Sequence, residues 1–123
     1  RREFNILVKK ADEHAENLLQ SMISEVNFRE YKEKGYFTVK SGNRIFRIYK
    51  DKGSMVDMFE KNEEGFFVPK NRLCVHTQRK EVPNADEALS RLLLIRSGKI
   101  LDVANKHSIE NCVEEFDLDL VGV

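Results

Sequence analysis

In the stretch NRLCVHTQ, residues 71–78, Cys74 stands two positions before His76, and both side chains are zinc ligands by chemistry. On a strand, residues two apart share a face with Cα atoms about 6.5–7 Å apart. That is long for direct proton transfer, so the spacing disfavours a cysteine–histidine nucleophile pair. It suits two ligands converging on one zinc ion, at bond lengths of about 2.0–2.3 Å. His107 and Cys112, further along the chain, would complete a Cys2His2 set. The simpler expectation is no metal and no cofactor, with Cys74 a small buried hydrophobe and His76 a surface or hydrogen-bonded residue.

The Cys-x-His pair ahead of a helical segment resembles the second half of the SWIM-type zinc-finger pattern, CxC then CxH. The preceding strand reads MVDMFE and holds no cysteine, so half of that ligand set is missing and no membership follows. Other chemistry is sparse. The six glycines are scattered singly, with no phosphate-cradling loop. No GxSxG elbow is present and no Ser-His-Asp order stands out, so no catalytic motif supports an enzyme.

The surface with most to offer is the first hairpin. Phe37 and Val39 alternate with Tyr36, Thr38 and Lys40 on one strand; Phe46 and Ile48 alternate with Ile45, Arg47 and Tyr49 on the next. The phenylalanine face is the core side. The opposite face interleaves tyrosines with cations, a composition that stacks bases and neutralises phosphates. Arg44, Lys50 and Lys52 extend it. The nucleic-acid-binding set expected from sequence is therefore Tyr36, Lys40, Arg44, Arg47, Tyr49 and Lys52, with single-stranded nucleic acid as partner. The same residue types also suit a solvated sheet face or a protein-binding one.

Charge placement fits either use. The net charge is zero, but residues 32–81 carry 12 Lys/Arg against 7 Asp/Glu, while residues 108–123 carry five acids and no base.

These residues must be positioned by elements that the pattern also defines. Phe4, Val8, Ala11, Ala15, Leu18, Met22 and Glu25 fall at alternating steps of four and three, all apolar except the last. They predict one long helix over residues 3–27, about 37 Å long at 1.5 Å per residue. It is expected to pack on the sheet through Leu18 and Met22. Three heptads of such a pattern also suggest self-association or binding of another protein through this helix, with exposed strand edges as a second route.

Gly42–Asn43, DKGS and NEEG mark turns between four antiparallel strands near 36–41, 44–50, 55–60 and 66–77, the last interrupted or at an edge because Pro69 has no N–H. Two helices follow over 84–106, the first capped by Asn84 with Glu87 and ended by Gly98, and then an acidic tail over 108–123.

The fold class expected is thus α+β, a single domain over 1–123 with a long N-terminal helix on a four-stranded meander. Two cysteines make no disulfide framework, and no signal-like or membrane-length apolar run is evident. A cytoplasmic protein without a membrane partner is the expectation.

Overall fold

Ser24 divides the N-terminal segment that periodicity reads as continuous. The computed structural model describes residues 2–50, 55–75 and 83–108, and in it the segment forms two helices, α1 (Arg2–Met22) and α2 (Glu25–Lys34). Ser24 is extended (φ −69°, ψ 160°), and its hydroxyl accepts the Asn27 amide at 3.1 Å. A side-chain acceptor at this position satisfies an orphan donor of the new helix, so a break here costs little. The single helix over 3–27 is therefore corrected to two. Glu25, the one polar residue in the stripe, is the first residue of α2. Gly35 ends α2 with φ 79°, a backbone conformation that suits glycine, and donates to the Tyr31 carbonyl.

The strands are β1 (Tyr36–Ser41), β2 (Arg44–Tyr49), β3 (Met55–Lys61) and β4 (Phe67–Cys74). A fifth, β5 (Asn105–Ser108), follows α3 (Asn84–Arg96) and the single-turn α4 (Ile100–Val103). The sheet order is β1-β2-β3-β4-β5, antiparallel throughout. The four-stranded expectation is thus corrected to five, because residues 105–108, read as the end of a helix and the start of a tail, add to β4.

The first hairpin keeps its expected register, with Phe37 opposite Ile48 and Val39 opposite Phe46. Gly42 has φ 62° and Asn43 a negative φ, which is the pattern of a type II′ turn. Pro69 sits at a register shift between Met58 and Phe59, and β5 pairs only with Asn71–Cys74. The missing N–H of Pro69 thus falls where β4 has no described outer neighbour.

One face of the sheet carries Phe37, Phe46, Ile48, Val56, Met58 and Leu73 into the core. Ala85, Ala88, Leu92 and Ile95 of α3 cover it, with Tyr31 of α2 and Ala15 and Leu19 of α1. Helix α3 packs on β2 and β1, α2 on β1, and α1 chiefly on α3. This corrects the expected contact surface. Leu18 and Met22 are exposed, and Ala15 and Leu19 are the buried positions of α1. The break at Ser24 gives α2 the place beside β1, so α1 meets the core along a different side.

Two polar contacts fix the assembly. Arg91 is buried and donates to the carbonyls of Val75 at 2.8 Å and Glu87 at 3.0 Å, tying α3 to the end of β4. Glu30 accepts the Thr38 amide at 3.0 Å, so α2 occupies a hydrogen-bonding position on the outer edge of β1. At the far end of α3, Gly98 has φ 74° as expected, while the helix starts at Asn84 with Pro83 in the capping position.

Candidate interaction surfaces

The sheet register dictates what the second face of the sheet holds. Strand pairing places Tyr36, Thr38 and Lys40 beside Ile45, Arg47 and Tyr49, then Asp57 and Phe59, then Phe67, Pro69, Arg72 and Cys74, and finally His107. Tyr36, Lys40, Arg47 and Tyr49 of the first hairpin therefore share a face, as their alternation requires, while Arg44 alternates onto the other. What that alternation does not reveal is the neighbouring strand.

Asp57 of β3 lies opposite Arg47 on one side and Arg72 on the other. It accepts a hydrogen bond from the Tyr49 hydroxyl, and both its oxygens accept from Arg72, at 2.7 and 3.2 Å. The Arg47 guanidinium lies 4.6 Å from the Tyr36 ring centre and 5.3 Å from that of Phe59. Arg47 is only 2% exposed and Asp57 is fully buried.

Burial together with the hydrogen bond to Asp57 pushes the Tyr49 hydroxyl up to about 12, with desolvation the larger cause. Taken together, the face is a desolvated ion-pair and cation–π network with its own partners inside the chain.

The expected nucleic-acid set therefore divides. Lys40 is exposed, its ammonium 5.8 Å from the Phe67 ring, and the Arg44 side chain is open to solvent beside Glu60 at 3.8 Å. Tyr36 and Tyr49 are half-buried and meet edge to face at 6.0 Å. Arg47 is shielded from a phosphate in solvent, and Lys52 lies outside the described residues.

Of the zinc set, Cys74 and His107 share a face on neighbouring strands, whereas His76 and Cys112 lie outside the described residues. Among the described residues no three metal-binding side chains gather.

Helix α1 supplies a second surface of another character. It is about 31 Å long at 1.5 Å per residue, for 21 residues. Only Ala15 and Leu19 are buried among its described side chains. Glu16 bonds Lys32 of α2 at 2.8 Å, which holds the second half of α1 to the body. Before that point Ile6, Leu7 and the run from Lys9 to His14 are exposed. Leu7 is 65% exposed, Ile6 49%, Leu18 45% and Met22 38%.

On α3, Arg96 donates to the Met22 carbonyl at 3.1 Å. Leu93, one turn earlier on the same side of α3 and also exposed, extends the apolar edge. The heptad pattern in the sequence includes Leu18 and Met22 but assigns them to the core, and it does not include Ile6 or Leu7. No helix among the described residues is long and apolar enough to cross a membrane. No family model, curated protein or solved structure matches the chain.

Proposed function

We propose that the protein is a protein-association module whose working surface is the apolar edge of α1. The observation that carries this reading is the placement of Leu7, Leu18 and Met22 in solvent along one side of a well-formed helix, with Leu93 beside it. Scattered exposed leucines need no explanation, but an apolar row along an element is the pattern of a contact surface. The second face of the sheet contributes rigidity: its buried charges, Arg47 and Asp57, find their partners within the sheet.

The test is site-specific photocrosslinking in expressing cells. A p-benzoylphenylalanine at Leu7 should give a protein adduct of discrete mass, and the same probe at Lys34, on α2, should give none. If Leu7 gives no protein adduct, the reading fails.

A second reading keeps single-stranded nucleic acid at the first hairpin, supported by the exposed Lys40 and the open Arg44 side chain at its turn end and the half-buried Tyr36 and Tyr49 at its other end. Absence of binding to single-stranded DNA and RNA at low salt, at about 50 µM protein, removes it.

A further inference from the structure

We infer that the occupant of the α1 face is α1 of a second copy of this chain, running antiparallel about a two-fold axis. This rests on the association reading, and names the partner for it. The face is divided into two unlike parts. Its first half, with Ile6 and Leu7, has exposed described side chains throughout. Its second half, held to the body by Glu16–Lys32 and Arg96–Met22, presents Leu18, Met22 and the adjoining Leu93. A projecting half and a receiving patch on one molecule satisfy each other twice under a two-fold axis, which is the isologous solution.

Residue spacing sets the direction. Leu7, Ala11, His14 and Leu18 follow steps of four, three and four, and all are exposed. An antiparallel alignment centred between Asp12 and Glu13 puts Leu7 opposite the second copy's Leu18, and Ala11 opposite its His14. Large then meets large at the ends, and small meets polar near the axis. A parallel alignment would instead set His14 against His14.

Charge selects the same direction. Residues 2–11 hold Arg2, Lys9 and Lys10 against Glu3, while residues 12–22 hold Asp12 and Glu13 with no Lys or Arg, Glu16 being engaged by Lys32. Antiparallel pairing runs the basic half of one helix along the acidic half of the other, and parallel pairing sets like against like. The strip is about 31 Å long and about 10 Å wide, well below the roughly 800 Å² per partner of a standard interface, which fits a weak, concentration-dependent association.

Sedimentation equilibrium of the full chain from about 1 to about 500 µM tests this, with far-UV melts confirming that each variant folds. The unaltered protein should shift from monomer to dimer, and Leu7→Glu and Leu18→Lys should each weaken dimerisation by at least about tenfold. Mixing Leu7→Glu with Leu18→Lys should restore a dimer, because the antiparallel layer then pairs a carboxylate with an ammonium and leaves one native Leu–Leu layer. Mixing Leu7→Glu with Leu7→Lys should not. A monomer across the whole range overturns the inference, as does rescue by the Leu7 pair in place of the mixed one. A crosslink from Leu7 to a different protein, with the purified chain monomeric, would leave the association reading standing and remove the second copy as its partner.

Discussion

Arg47 illustrates how a residue can be placed on the right face and still have a different job. Alternation in the first hairpin is enough to put it opposite Phe46, and the register bears that out. Its burial depends on Tyr36 of β1 and on Phe59 and the neighbouring Asp57 of β3, the strands on either side of it. No local pattern pairs Asp57 with Arg72, because the pairing needs the β3–β4 register, and that register slips at Pro69.

Two predictions belong at this scale. Asp57→Ala should cost about 3–5 kcal/mol in urea unfolding, since it removes a buried carboxylate and leaves its half-buried partners Arg72 and Tyr49 without it. Full stability in that variant would mean that the network is not structural.

Tyr49 is held neutral in the fold, up to about 12 against about 10 for a free tyrosine. Its raised value adds stability that is complete below pH 10 and is lost as pH climbs through 12. Tyr49→Phe should flatten the alkaline part of the stability profile between those limits. An unchanged slope there would remove Tyr49 as its source.

At the scale of elements, the sequence makes the turns and the sheet register plain and misleads on the first helix. Gly42, Gly65 and Gly98 take positive φ at turns or ends the sequence marks, whereas Gly35 ends α2, a helix the apolar pattern does not announce. The unbroken apolar stripe conceals the Ser24 cap, because periodicity measures which side a residue faces and says little about where a helix stops. Misplacing that boundary rotated the inferred core side of α1 and exchanged Leu18 and Met22 for Ala15 and Leu19. Likewise, β5 was hidden in a short polar stretch, NKHS, that has no alternation to announce it.

Alanine substitution along the helices separates the two assignments. Leu92→Ala should destabilise by about 2–5 kcal/mol because Leu92 is fully buried in the core. Leu18→Ala should change monomer stability far less while weakening association. Comparable losses of stability from both would return Leu18 to the core. Ser24→Ala should cost about 0.5–2 kcal/mol through loss of the cap to Asn27; no change in the urea midpoint would mean that other contacts fix the break between α1 and α2.

For the whole molecule, the account is a layered α+β body with a sheet stabilised on both faces and a helix that extends beyond what it needs to cover. The core face is closed by α3, α2 and part of α1; the other by an ion pair, a tyrosine and stacked cations. Among the described residues, that leaves the apolar edge of α1 as a feature unexplained by folding alone, and self-association through it as the central claim.

Amide hydrogen exchange over residues 6–14 reads that claim directly, in the unaltered protein at about 10 µM and about 500 µM. Amides of this segment should exchange quickly in the dilute sample and at least about tenfold more slowly in the concentrated one, with core amides such as those of Ile48 and Val56 unchanged. Equal, rapid exchange of residues 6–14 at both concentrations would contradict it.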